Sequence, residues 1–380
     1  VHGGGSDTTH NNSVHRGIFD PAQLALGNTV KLPGNAIVDG QGVDIFGYRD
    51  PNPDPYVNTY EGPTFANIDL FGISLVGDFT FGDGYTLTSV TGYETSQRSV
   101  LQEGNGAPST IFTINWGPSD FESISQELRL ASPSDDAFSW VIGGFLFHER
   151  GEVDNFYNLT DASFALGGLE AFDQYYVQST DTYAAFAQAE LEITDRLNLT
   201  VGGRINHEKR DLDHSSFGTD RNGNNLLPGP LFDINLQESW TEWSGRAALS
   251  YDFSDDIMGF VSINRGFTSG GFNTGAFNDP VGALKIYDPE IVISYEAGVR
   301  TSLFNNRVQF NITSFLYDYS DLQVFTFTAG GLQFIENASD ASIKGLEFEL
   351  QALVTDNFEV GGSLGFWIAN IRTSAEPMRE

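Results

Sequence analysis

The chain has 380 residues, with 51 acidic side chains against 19 basic ones, a net charge of −32 and no cysteine. So acidic a balance excludes a nucleic-acid-binding surface, which needs basic charge. The missing thiols exclude disulfides, thiolate metal sites and cysteine nucleophiles. No apolar run reaches the roughly 18 residues of a membrane-spanning helix, but a membrane barrel stays open, because barrel strands hide their hydrophobicity by alternating it.

Residues 1–66 read as an irregular segment, an extracellular loop in a barrel. They open on Gly, Asn, Asp and Ser and later carry Asp50-Pro51-Asn52-Pro53-Asp54-Pro55, all of it loop chemistry. His10 and His15 are candidate metal ligands in this polar stretch, but scattered histidines in such a segment more often bind nothing, and no metal is expected there. Val1 follows no charged start, apolar stretch or cleavage site, so either a signal peptide has been removed or the chain is an internal piece of a longer one, the second being the expectation once the resemblance carried by 289–323 is considered.

From Asn67 a rhythm sets in and runs to Ile371, with 372–380 a loop or a cut end. Strand-like runs meet at short turns: Gly82-Asp83-Gly84, Ser134-Asp135-Asp136, Thr194-Asp195-Arg196, Ser254-Asp255-Asp256, Asn305-Asn306 and Thr355-Asp356-Asn357. Between them stand long polar stretches, at about 101–120, 154–173, 214–235 and up to 288. Apolar residues fall at every second position. Leu197, Leu199, Val201 and Ile205 oppose Asn198, Thr200, Arg204 and Asn206. Tyr183, Ala185, Ala187, Ala189, Leu191 and Ile193 oppose Gln188, Glu190 and Glu192. Trp243, Ala247, Leu249, Tyr251 and Phe253 oppose Glu242, Ser244, Arg246 and Asp252. Leu346, Phe348, Leu350 and Ala352 oppose Glu347, Glu349 and Gln351. A period of two marks strands with one apolar and one wet face. The prediction is all-β: about twelve strands of an antiparallel up-and-down transmembrane barrel, short turns at one end and long loops at the other. Charges facing lipid are costly, so the polar face is expected to line the lumen, with Tyr251, Phe253 and Phe304 in an interfacial girdle.

The stretch 289–323 carries a resemblance. Its residues Pro289, Glu290, Tyr295, Glu296, Gly298, Arg300, Phe304, Asn305, Arg307, Phe315, Tyr319 and Gln323 stand as in a barrel hairpin of TonB-dependent outer-membrane receptors. VTGYE (90–94), SQELRLAS (125–132), WVIGGFLF (140–147), NRGFTSGGFN (264–273) and ASIKGLEFEL (341–350) are similar to further strands of these receptors, in the same order. The resemblance implies a Gram-negative outer-membrane receptor for energy-coupled uptake of a scarce nutrient, above all a ferric siderophore or similar metal chelate. It also implies a barrel of about 22 strands, a plug upstream of this chain, and an inner-membrane TonB-type complex as partner. A passive porin-like channel and a surface protein whose loops bind a partner are the alternatives.

Catalytic spacing is not found. His148 and Glu149, like His207 and Glu208, are strand neighbours and point to opposite faces. The expectation is a non-enzyme without cofactor or resident metal, in contact with outer-membrane lipid and a small-molecule ligand. Candidate ligand contacts are Arg98, Trp116, Arg150, Tyr175, Tyr176, Arg265, Phe272 and Asn273, because aromatics and arginines at the loop ends suit carboxylate or catecholate oxygens. Calcium held by the acidic loops is a further possibility.

Overall fold

The computed structural model describes residues 2–8, 64–103, 113–134, 137–160, 169–220, 222–274, 286–327 and 333–373. His10 and His15, the Asp135-Asp136 turn and residues 374–380 lie outside them.

The chain runs β1 (His2–Thr8), β2 (Phe65–Phe81), β3 (Tyr85–Glu103), β4 (Thr113–Ala131), β5 (Phe138–Asn158), β6 (Ala171–Thr194), β7 (Leu197–Thr219), β8 (Phe232–Ser254) and β9 (Ile257–Thr268). Two short strands follow, β10 (Gly271–Phe272) and β11 (Ile286–Tyr287). The chain then continues as β12 (Glu290–Ser302), β13 (Val308–Phe327), β14 (Gln333–Thr355) and β15 (Phe358–Thr373). All but β10 and β11 form one 13-stranded sheet in strict sequence order, every pair antiparallel. The twelve strands from Phe65 onward are those read from the periodicity. His2–Thr8 adds a strand on β2, from His2 opposite Gly72 to Thr8 opposite Ala66, within a segment expected to be irregular. Nothing in its glycine-rich sequence signals a strand; β2 supplies the ladder it completes.

Cross-strand register explains the alternation. Ala189, Val201, Ala247, Ile263, Tyr295 and Leu316 lie opposite one another across six strands, forming a continuous apolar row. One residue along, the row is Glu190, Thr200, Ala248, Ser262, Glu296 and Phe315, on the other face. Val201 is 48 % exposed and Val261 53 %. An apolar face this broad and this bare suits lipid rather than water. Near the short turns it ends in aromatics. Phe79, Phe81, Tyr85 and Trp140 follow one another at centroid spacings of 5.8, 6.1 and 6.2 Å. Tyr251 and Phe253 meet edge-on at 5.0 Å, and Phe304 is exposed.

At the other end the outward face turns polar. On β7 the outward series Leu197, Leu199, Val201, Ile205 gives way to His207, Lys209 and Asp211, with His207 bonded to Thr241 at 2.9 Å and Lys209 to Asp211 at 2.9 Å. The apolar part has about the 9–11 residues a tilted strand needs to cross the hydrocarbon. Yet β7 has 23 residues and β6 has 24, so both rise well above it.

Two expectations need correction. The stretches 101–103, 113–120, 154–158, 171–173, 214–219, 232–235, 271–272 and 286–287, read as loop, are strand. Above the bilayer, lipid no longer enforces the alternation, so its signal is lost while the ladder persists. The Asn305-Asn306 turn is also longer than two residues. Leu303 bridges Val308, and Phe304, Asn305 and Asn306 all have positive φ, at 57°, 59° and 63°. Asn tolerates that region; Phe pays strain for it. Arg307 ties the turn to its neighbour through Asp356 at 2.9 Å.

Val201→Arg should cost about 2–4 kcal/mol of barrel stability, and Thr200→Arg, on the polar face, less than about 1 kcal/mol. Folding yield into lipid vesicles, read by heat-modifiable gel mobility, checks this; equal effects would reverse the assignment of faces.

Candidate luminal site

The inner face carries the chemistry. Low on the wall, Arg204 lies 5.2 Å from the Phe145 ring centre and 5.7 Å from that of Phe186, while its Nε donates to Asn206 at 2.6 Å. The guanidinium is thus held by two rings and one amide with its charge left toward the lumen. Higher up, Arg210 meets Glu208 at 2.7 Å and lies over the Trp240 ring at 6.0 Å.

Toward the long loops the inner face becomes apolar. Tyr157, Leu159, Phe172, Leu212, Phe232 and Phe272 form a buried cluster, with Leu169, Tyr176, Ile234 and Leu236 against it. Phe172 packs on Tyr157 and Phe232 at centroid distances of 6.1 and 6.4 Å. So one strand inverts its polarity along its length: β7 is apolar outward at Leu199 and Val201 and apolar inward at Leu212.

A polar row runs through this cluster. Asn155, Gln174 and Ser216 lie opposite one another on β5, β6 and β7. Gln174 is fully buried and uses its whole amide: Oε1 accepts from Asn155 at 3.2 Å and from the Tyr157 hydroxyl at 3.3 Å, and Nε2 donates to the Thr274 carbonyl at 2.6 Å. Next to the row stands His214, 2 % exposed, edge-on to Tyr176 at 5.8 Å and 5.1 Å from Phe232. Neither of its ring nitrogens has a hydrogen-bond partner among the described residues. Burial pulls its pKa down to about 4, so the imidazole is neutral at ordinary pH. Burial raises the Tyr176 phenol, an effect opposed by its hydrogen bond with Thr274.

Residues 269–274 cross this surface as a strap. The ladder between β8 and β9 stops at Gly245 opposite Arg265, while β9 continues along β12 to Thr268 opposite Glu290. Beyond that seam the strap lies on β7 and β8, with the Ser269 hydroxyl donating to Glu208 at 3.0 Å. Phe272 enters the cluster 6.3 Å from Trp240. Asn273 acts like one more residue of strand: its Oδ1 accepts from the Ile335 N–H at 2.7 Å and its Nδ2 donates to the Ile335 carbonyl at 2.9 Å. The Gln323 amide donates to the carbonyls of Ser269 and Asp288, each at 3.0 Å. Gly270 and Gly271 are required by crowding, since a Cβ on either would overlap Tyr287, and on Gly270 also Trp240.

The eight predicted contacts do not converge. Arg98 is on the luminal register of β3, opposite Ser119. The Trp116 backbone pairs with Val100 and Asn155. Arg150 and Tyr175 face outward, above the apolar band, where Arg150 pairs with Glu152 and the Tyr175 hydroxyl donates to the same carboxylate at 3.5 Å. Arg265 spans the seam, 4.5 Å over the Trp243 ring and 2.8 Å from Glu242. Tyr176, Phe272 and Asn273 do come together, in the buried cluster and its strap. His214, Gln174, Asn155 and Ser216 were not among the candidates. Continuing the even-numbered inner face of β7 past Asn206 would have pointed to His214 and Ser216. His207 and His214 do face opposite sides, as the strand count requires.

Comparison with known proteins agrees with this barrel. Residues 5–376 match the model of the TonB dependent receptor-like β-barrel family. The ferric-pyoverdine BN7/BN8 receptor of Pseudomonas putida is 22 % identical over 261 residues, covering 66 % of this chain and 28 % of its own. The pesticin receptor of Yersinia enterocolitica is 24 % identical over 250 residues, 64 % of this chain and 33 % of its own. This chain therefore spans about a third of such relatives. Among solved structures, the ferric yersiniabactin uptake receptor of Yersinia pestis superposes with a TM-score of 0.68 at 18 % identity, over 82 % of this chain and 44 % of that one. The closed form of the ferric-catecholate import receptor of E. coli gives 0.61 at 13 % identity, over 97 % and 54 %. The chain belongs to the TonB dependent receptor-like β-barrel family, whose barrels stand in the Gram-negative outer membrane.

Gln174→Leu keeps the shape but strands the Asn155 amide and the Thr274 carbonyl. The expected loss is about 1–3 kcal/mol for each group left buried and unpaired. Denaturant unfolding of the detergent-solubilised barrel measures it, and a midpoint equal to wild type would mean the row contributes nothing.

Proposed function

We propose that this chain is the barrel part of a receptor that takes up a ferric siderophore or a similar metal chelate, with a plug domain elsewhere in the full protein and an inner-membrane TonB-type complex supplying the energy. The observation that carries the reading is the family match over residues 5–376, joined by relatives whose names refer to ferric siderophores. The inner wall supports it: arginines at Arg98 and Arg204 offer charge-assisted donors to the anionic oxygens of a chelate.

Among the candidate contacts, Arg98, Trp116 and Tyr176 are proposed to meet ligand. Phe272 and Asn273 shape the passage through the strap. Arg150 and Tyr175 belong to the outer surface, and Arg265 to the seam. The porin-like alternative lacks comparable support, because the family match is to receptors.

Uptake of radioactive iron, supplied as a panel of ferric siderophores to an iron-starved strain lacking the gene, tests the proposal. The full-length protein should restore uptake of at least one chelate, a protonophore should abolish it, and Arg98→Ala should weaken binding about tenfold, or ~1.4 kcal/mol. Uptake indifferent to the protonophore would instead identify a passive pore.

A further inference from the structure

The buried imidazole of His214 is left over by everything above. Among the described residues its nitrogens are both buried and unpartnered, and so is the hydroxyl of Ser216 two residues on. A buried polar group without a partner is costly to keep, and this one packs on the two rings that meet the strap: Tyr176, hydrogen-bonded with Thr274, and Phe232, which shares the buried cluster with Phe272.

We propose that His214 is an acid-triggered release for the strap: protonating it drives Phe272 out of the cluster and frees residues 270–274 from the luminal wall. The argument is one of compensation. An imidazolium needs a carboxylate or water; His214 is buried from solvent, and among the described residues no carboxylate faces it. On β6 the inward neighbours are Gln174 and Tyr176, and Tyr176 is the one titratable group. On β8 they are Phe232, Ile234 and Leu236, and on β5 Val153, Asn155 and Tyr157. The strap brings Phe272 and Thr274, and Leu169 packs nearby with Glu170 next in sequence. Asp154, Asp173, Asp213 and Asp233 are on the opposite face of the sheet. Farther down the same face, Arg210 is positive and already takes Glu208, so it adds repulsion.

The strap is the part that yields. The wall around His214 is held by continuous ladders, β6 to β7 and β7 to β8, which cannot part without opening the sheet. The strap has a short ladder of its own, Gly271 on Tyr287 and Phe272 on Ile286, which is separate from the large sheet; to the wall it is held by side chains: Gln174 and Tyr176 on Thr274, Asn273 on Ile335, Gln323 on Ser269, and the Ser269 hydroxyl on Glu208. These can be exchanged for water one by one. Once Phe272 has left, water reaches the imidazolium and Ser216, and the aromatic wall of Tyr157, Phe172 and Phe232 faces the lumen.

The sign follows from the two states. The closed state holds the imidazole neutral down to about pH 4, and an open state restores it toward the ordinary value of about 6.5. Closure is thus fully favoured above that ordinary value and weakens as pH falls through the window below it.

Trp240, 6.3 Å from Phe272, reports on the strap. In the full-length protein labelled with 5-fluorotryptophan, its ¹⁹F resonance, assigned with Trp240→Phe, is followed from pH 7 to 3.5. In parallel, ¹⁵N-histidine labelling follows the imidazole of His214. The expected result is a Trp240 shift with a midpoint between about 4 and 6.5, coincident with the titration of His214 and absent from His214→Phe. A Trp240 shift that persists in His214→Phe would assign it to the luminal carboxylates and overturn the proposal. If that variant does not fold, the wild-type titrations decide: coincident midpoints support the release, while a His214 that titrates with no change at Trp240 refutes it.

Discussion

Backbone amides cannot be left unpaired in hydrocarbon, where no water replaces a lost partner. This constraint orders the whole molecule. It makes every long strand pair with its sequence neighbours, from Phe65 to Thr373, and it turns the chain back at short polar hairpins. With the backbone satisfied by the ladder, side chains are free to answer only to what lies on either side of the sheet. The apolar row from Ala189 to Leu316 and the polar row beside it are two faces of that freedom.

The constraint loosens above the bilayer, and the architecture changes there. The wall no longer meets lipid, so its apolar residues turn inward and make the nearest thing this fold has to a globular core. Ladder pairing also becomes optional. At the β8–β9 seam it stops, and on β14, ahead of the point where β15 begins to pair at Ser339, an amide side chain takes over: Asn273 offers Ile335 the same donor and acceptor that a neighbouring peptide would. Gln174, Gln323 and Asn337 do similar service, Asn337 by bonding the Asp288 N–H and carbonyl at 2.7 and 2.9 Å. A wall built this way can include pieces that are not strands.

These two regimes explain what was legible in the sequence. Within the hydrocarbon, lipid imposes a period of two, so the strands and most turns could be read residue by residue, as at Leu197–Ile205 and its polar partners. Above it, Asn155, Ser215, Ser216 and Gly218 look like loop, yet they are strand because their neighbours supply the ladder. The turn after Leu303 was misjudged because Asn305-Asn306 fits a two-residue hairpin, and nothing local shows that Phe304 joins them in the left-handed region. The candidate site fared differently. Arg150 and Tyr175 were chosen by residue type and loop position, which do not say which face a side chain takes. His214 and Gln174 matter through their cross-strand neighbours, and those are fixed by register between segments about 40 residues apart in sequence, which no single stretch contains.

The inversion of polarity along β7 also bears on how such a barrel tolerates mutational drift. Around Leu199 the neighbour is a fluid, which takes any apolar shape, so exchange among Leu, Val, Ile and Phe should be nearly free there. Around Leu212 the neighbours are fixed rings and one buried amide, and the same exchange leaves a void or a clash. A single strand therefore carries two selective regimes end to end. Toward the cell only the class of residue is held; toward the medium its shape is held as well. A lineage that remodels its outer mouth for a new ligand would have to change several packed residues together, while the membrane-embedded part beneath drifts freely within its composition.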